Sequence, residues 1–421
     1  MAYKILILCS KFPYPPKDGG TRAMQAMIQG FHKAGHEVTV LTMNTPKHYV
    51  ILRNLPEKIR MSAEFFAVDV DTNVKLTDML ANFLFSKKSY HVQRFTSRRF
   101  REELYKLLRS NKYDIVQLET LFMAPYMDTI REMNPDALIS LRIHNIEHLI
   151  WERRTKNEDN PIKKLLFEVT ASRIKAYEEK IFGENKYDTL IPITNIDLKQ
   201  ARDLGAKEPF MFINTGVDLD EINTEPVEFE HQSIFYIGAL DWGPNVEGIR
   251  WFLRYVWPII HKNYPEVKFY IAGRRMAPDF LRKPMDNVVL MGEVDESEPF
   301  IKSHGVMVVP LLSGSGLRIK IVEAMAYGKA VVATSMAAEG LGAFHGNQIL
   351  IADDPKKFAD CVSVLLEKRS FFDTISKHAK SFVRSRFNND KVIDRLLRFY
   401  EKEINARKAA KKKAKEKEKK E

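Results

Sequence analysis

Between Pro310 and Leu341 the chain reads PLLSGSGLRIKIVEAMAYGKAVVATSMAAEGL, where several residues suited to an anion converge. Gly314 and Gly316 let the backbone approach a ligand closely, and a helix expected from near Leu317 offers unpaired N–H groups at its start. Arg318 and Lys320 add two cations at the same end. Cations oppose the dipole at a helix N-terminus, so their presence is explained by a strongly anionic ligand such as a diphosphate. The plainer alternative is that both face solvent. Glu323 borders the apolar stripe Ile319, Val322 and Ala326. A carboxylate there needs a partner, either the paired hydroxyls of a ribose or a structural ion pair.

Other candidates are weaker. Gly19 and Gly20 close a proline-broken loop after the first apolar run, but no dinucleotide fingerprint follows. His144 opens HNIEH, whose second histidine is His148, a spacing shared with inverted zinc proteases. That chemistry needs both histidines on one helix face, whereas His144 is expected to end a strand, so no metal site is assigned. Asp69-x-Asp71 and Asp218-x-Asp220 read as solvated acidic loops. Cys9 and Cys361 are too few for a disulfide framework.

The elements that must hold these residues follow from the hydrophobic pattern. Short, nearly continuous apolar runs recur at Tyr3–Cys9, His36–Met43, Phe65–Val70, Asp114–Leu118, Ala137–Ile143 and Thr189–Thr194. Runs of this kind are strands of a parallel sheet covered on both faces. Helical patterns alternate with them. In the first, Thr21 is a candidate cap, and Met24, Met27, Ile28 and Phe31 share a face. A turn-rich acidic break at 214–226 precedes a second series: Ser233–Leu240, Lys268–Ala272, Val288–Met291, Val306–Leu312, Ala330–Thr334 and Gln348–Ala352. The expectation is an α/β protein of two doubly wound Rossmann-like domains, 1–212 and 213–385, with ligands at the carboxyl ends of the strands and a cleft between the domains. A helix over 386–405 is expected to pack back on the first domain, and a basic tail over 406–421 to be disordered.

Of 421 residues, 45% are hydrophobic and 29% charged, which excludes a disordered or fibrous chain. No apolar run approaches the roughly 18 residues of a membrane span, and neither a signal peptide nor a disulfide framework is evident, so the expected location is cytoplasmic. The net charge is +11. The tail alone holds nine basic and three acidic residues, a surplus of six. It suits an anionic membrane surface as a peripheral contact, or simple solubility. Without aromatic residues for stacking it does not suggest nucleic acid.

Taken together these features resemble the retaining glycosyltransferases of family 4, of GT-B fold. KAGHEVTVLT is similar to that family's N-terminal unit, NTGVDLDEI to its interdomain segment, FYIGALDWGPNVEGIRWF to its second-domain entry, and GSGLRIKIVEAMAYGKAVVAT to its donor-site helix. The resemblance implies transfer of a sugar, with retained configuration and no metal or other cofactor. The donor would be a nucleotide-diphosphate-sugar, most naturally of UDP or GDP, and the acceptor a glycan or lipid-linked molecule. It implies that Gly19 and Gly20 approach the donor phosphates and His144 the donor sugar. Glu323 would hold the ribose, the loop Gly314–Leu317 would line the donor, and residues near Val294 would lie beside the base. Two positions depart from the pattern. Ser315 stands where the first glutamate of the paired motif belongs, and Ala239 and Asn245 stand near the usual arginine and lysine. Arg318 and Lys320 are then the candidates to supply the missing charge. A sugar-nucleotide epimerase of the same architecture and an inactive nucleotide-sugar-binding protein are the alternatives. The basic, aromatic stretch Phe83–Arg101 is a candidate acceptor surface, facing lipid or an anionic glycan.

Overall fold

The computed structural model describes residues 2–16, 18–156, 158–219, 222, 228–277, 280, 285–314 and 316–418. Ser315 and Asp220 therefore lie outside the described residues, as does the later part of the acidic break apart from Ile222.

The chain divides into two units, 1–216 with 389–421, and 217–388. In the first unit the apolar runs form β1 (Lys4–Cys9), β2 (Glu37–Asn44), β3 (Glu64–Asp69), β4 (Ile115–Glu119), β5 (Leu138–Ile143) and β6 (Thr189–Pro192). They pair in parallel in the order β3-β2-β1-β4-β5-β6. Successive side chains of a strand point to opposite faces, so Leu6 and Leu8 join one core with Leu41, Val116 and Leu141. Ile5, Ile7 and Cys9 join another with Val38, Val40 and Leu138. Both faces being buried, the strands read as unbroken apolar runs.

The second unit repeats the arrangement. Strands β7 (Glu230–Ile237), β8 (Lys268–Ala272), β9 (Val288–Gly292), β10 (His304–Val309), β11 (Val331–Ala333) and β12 (Leu350–Ile351) take the order β12-β11-β10-β7-β8-β9. Counted outward from its first strand, this is the same winding as in the first unit, and each sheet has its order reversal between two central strands. That is where a doubly wound fold places its ligands. Both units are Rossmann-like.

Two features differ from expectation. The unit boundaries fall at 216/217 and 388/389, a few residues beyond those anticipated. The basic tail, expected to be disordered, is helical as far as Glu418, continuing one helix of 30 residues from Asn389. Val392, Ile393, Leu396, Phe399 and Tyr400 of this helix pack on the first unit's sheet beside the Gly19–Lys33 helix. The approach is close at Gly30, where a Cβ would stand 2.4 Å from Ile393 Cγ1. Farther along, Arg407 pairs with Asp188, Lys411 pairs with Asp136, and Lys411 Nζ donates to the Pro135 carbonyl at 3.4 Å. Among the described residues, no helix is long and apolar enough to cross a membrane.

Candidate functional site

In the second unit the site residues gather where β7 and β10 end. The loop after β10 turns through Gly314 and Gly316, whose φ values of 115° and 79° lie in the left-handed region that favours glycine. A Cβ on Gly314 would also sit 3.0 Å from Arg318 Nη2 and 3.1 Å from the Trp242 ring. The helix begins at Ile319, two residues later than expected, with Arg318 at its N-cap. Arg318 is buried, and its Nη1 donates to the Gly316 carbonyl at 2.6 Å.

Lys320 does not face solvent. Its ammonium donates to Tyr236 Oη at 2.7 Å and Asn245 Oδ1 at 2.9 Å, and it lies 4.3 Å from the centre of the Tyr236 ring. Asn245 is itself tied to the loop after β7, its Nδ2 donating to the Ala239 carbonyl at 2.7 Å. Burial pulls the Lys320 pKa well below the ordinary lysine value, and the neighbouring Arg318 charge adds to this. Among the described residues, all the hydrogen-bond partners of this ammonium are neutral. A partly desolvated cation without a counter-charge is unfavourable until an anion arrives. The space is kept open by Gly238, where a Cβ would fall 2.8 Å from Tyr236 Oη and 2.9 Å from Lys320 Nζ. Glu323 is half-buried on the same helix, while Leu317 and Val294 pack against the apolar cluster beneath it.

In the first unit, His144 follows β5 at its carboxyl end, as the sequence suggested, but it does not stand alone. Its Nε2 lies 2.6 Å from Glu119 Oε2, and Arg142 Nη1 donates to the same oxygen at 2.8 Å. Glu119 and Arg142 are wholly buried. Gln117 Nε2 donates to the other Glu119 oxygen, and Tyr400 of the C-terminal helix donates to Gln117 Oε1 at 2.9 Å. Burial pushes the Glu119 pKa up, but the Arg142 charge and the His144 hydrogen bond outweigh it and bring it down to about 2. Burial also lowers the His144 pKa, against the opposing pull of Glu119. A neutral imidazole donating Nε2–H to the Glu119 carboxylate satisfies both.

The second histidine of HNIEH belongs to a different network. His148 Nδ1 is 2.5 Å from Glu178 Oε2, and Glu178 also accepts the backbone N–H of Glu147 at 2.7 Å, capping the Glu147–Lys156 helix. Burial and the Glu178 charge push the Glu147 carboxyl up to about 7. Among the described residues, no three His, Cys, Asp or Glu side chains are placed to hold a metal.

Gly19 and Gly20 differ from expectation. They are the first two residues of the Gly19–Lys33 helix rather than part of a loop, and Asp18, not Thr21, is the cap. The Asp18 carboxylate accepts from the Thr21 N–H at 2.9 Å, from Lys11 Nζ at 2.7 Å and from His48 at 2.9 Å. Thr21 completes a capping box. Burial would raise the Asp18 pKa, but the Lys11 charge and the hydrogen bonds hold it far below the usual carboxylate range.

Sequence reasoning missed Glu119, Arg142, Gln117, Tyr236 and Tyr400. A signal existed for three of them. Gln117 and Glu119 alternate onto one face of a strand otherwise apolar, and Arg142 interrupts the apolar run of β5. Charges inside buried strands require one another.

Comparison with known proteins bears on the fold and the family. Residues 231–368 match the family described as Glycosyl transferases group 1. A Klebsiella pneumoniae protein, described as an uncharacterized 44.6 kDa protein in cps region, is 22% identical over 405 residues, covering 94% of this chain and 99% of the relative. Among solved structures, the chain resembles sucrose-phosphate synthase from Thermosynechococcus elongatus, with TM-score 0.69 and 13% identity over 96% of this chain and 100% of that one. It also resembles Anabaena HepE in complex with UDP-glucose, with TM-score 0.64 and 12% identity over 94% and 98%. A TarM variant from S. aureus, in complex with Fondaparinux, alpha-GlcNAc-glycerol and UDP, gives TM-score 0.69 and 14% identity over 94% and 99%. The family match and the GT-B fold together support a glycosyltransferase.

Proposed function

We propose that this chain is a retaining, metal-independent glycosyltransferase that moves a sugar from a nucleotide-diphosphate donor to a glycan or lipid-linked acceptor. The observation that carries the reading is the half-buried Lys320, whose ammonium is hydrogen-bonded only to neutral partners among the described residues and shares its surroundings with the buried Arg318. It donates to Asn245, which stands near the family's missing lysine. The cation has moved to another element but supplies charge to the same place. Two of its three N–H donors are taken by Tyr236 and Asn245, and the third is assigned to a phosphate oxygen.

In the reaction the anomeric C–O bond to the diphosphate breaks, leaving negative charge on the phosphate while the sugar becomes cationic. Arg318, Lys320 and the N–H groups opening the Ile319–Ala326 helix stabilise that charge without a metal. The acceptor oxygen bonds to the anomeric carbon on the face the phosphate leaves, and its proton passes to the departing phosphate oxygen. His144 is assigned to the donor sugar, its ring fixed by Glu119. Glu323 is assigned to the ribose hydroxyls, and the base to the neighbourhood of Val294. The capsule-region relative suggests envelope polysaccharide synthesis as the setting, and the exposed lysines of the C-terminal helix suit a peripheral contact with anionic lipid.

Thermal-shift titration with UDP, GDP, ADP and CMP, with and without EDTA, tests the reading. One nucleoside diphosphate should raise the melting midpoint regardless of chelation, and Arg318→Ala should lower donor turnover. Absence of any nucleotide shift, or full turnover by Arg318→Ala, contradicts it.

A further inference from the structure

Polar side chains line one face of β4 and β5 in two rows. Gln117 lies opposite Ser140 and Glu119 opposite Arg142, while the preceding pair on that face, Ile115 and Leu138, is apolar. All four polar residues are wholly buried, and so is Tyr400, which reaches them from the C-terminal helix. Well-packed apolar residues in such places often match or exceed the stability of buried polar groups. Stability alone therefore does not account for the strip, which leads along the sheet to His144.

The direction of every hydrogen bond in the strip follows from the carboxylate. Ionised Glu119 can only accept. Gln117 must therefore turn its Nε2 to Glu119 Oε1, at 2.5 Å, which leaves Gln117 Oε1 facing Tyr400. Tyr400 has one hydroxyl proton, and it goes to that oxygen at 2.9 Å. Ser140 Oγ, 2.7 Å from Tyr400 Oη, is then the donor in that pair. On the other carboxylate oxygen, Arg142 Nη1 and His144 Nε2 meet at 2.8 and 2.6 Å. A bare ring nitrogen so close to a carboxylate oxygen would set lone pair against lone pair, so the His144 proton sits on Nε2. The chain of donors that starts at Ser140 and Tyr400 thus ends on the carboxylate that selects the His144 tautomer.

We propose that Tyr400 and Gln117 are positioning residues for His144, holding Glu119 so that the imidazole proton stays on Nε2. This deepens the glycosyltransferase reading and rests on it for the role of His144. The C-terminal helix thereby serves the site as well as the core. Heteronuclear NMR of the histidine rings in the full chain tests the proposal, with the His144 signals identified by their loss in His144→Gln. Wild-type protein should show the Nε2–H tautomer. Tyr400→Phe keeps the ring in the core, and Gln117→Leu removes the donor to Glu119 Oε1. Each should give a mixture of tautomers. Release of UDP from UDP-glucose and of GDP from GDP-mannose is the second readout. For a donor that wild-type protein turns over, each variant should lower kcat about fivefold with KM within about twofold. Acting through one chain, the double variant should cost no more than the larger single one. An Nδ1–H tautomer in wild type, an unchanged tautomer in both variants, unchanged kcat in variants that lose it, or fully additive losses each overturns the proposal. Wild-type protein that releases neither nucleotide counts against the glycosyltransferase reading alone, and the tautomers still decide whether Tyr400 and Gln117 set the ring.

Discussion

At the scale of single residues, the second-unit site is defined by one misplaced charge. The Lys320 ammonium is packed against Tyr236 and Asn245 with its pKa well below normal. An anion beside it raises that pKa, so binding takes up a proton in the window between the two values, and affinity falls as pH rises through it. Calorimetry in buffers of different ionisation heat should detect this uptake with the bound nucleoside diphosphate, and Lys320→Met should abolish it. Gly238→Ala tests the same site sterically. Its Cβ would press on both Tyr236 Oη and Lys320 Nζ, and nucleotide affinity should fall about tenfold, or about 1.4 kcal/mol, with the fold retained. Unchanged affinity would mean the ligand does not use this ammonium.

At the scale of elements, β4 and β5 act as a pair through Glu119, Arg142 and His144. All the charge in this network lies inside the sheet, so neither partner can be removed alone. Glu119→Gln strands a buried guanidinium and should destabilise the protein by about 3–5 kcal/mol, read from urea unfolding. Adding Arg142→Met should recover much of the loss. The acid limb has a definite sign. With a folded pKa of about 2, Glu119 contributes stability that is complete above the unfolded carboxylate pKa and is lost as pH falls towards about 2. A Glu119→Gln protein with wild-type stability would remove the pair from any structural role.

At the scale of the whole molecule, the two units are unequal in sequence continuity. The second is a single segment with cores on both faces of its sheet. The first needs the distant C-terminal helix, since Leu396, Phe399 and Tyr400 complete one of its cores. A 217–388 fragment should therefore unfold cooperatively and retain the nucleoside-diphosphate response. A 1–216 fragment should expose apolar surface and bind dye. A folded 1–216 fragment would show the helix to be dispensable.

Much of this architecture was legible in the chain itself. Buried parallel strands must be apolar on both faces, so β1, β2, β4, β5, β8 and β10 announce themselves in a local pattern, and the break near 214 separates two such series. Arg318, Lys320 and the glycines before them were also visible, because a loop-to-helix junction is a local feature. What the local pattern lacks is distance. Nothing in the sequence brings Glu119 to His144, Tyr400 to Gln117, or Lys320 to Asn245, since those pairs are set by strand order and by which helix covers which face. The cap of the first helix went to Asp18 rather than Thr21 because Lys11 and His48, from other elements, converge on that carboxylate. Periodicity is enforced by burial and is read one residue at a time. Electrostatic partnership depends on separation in space, which the chain acquires only when the sheets have formed.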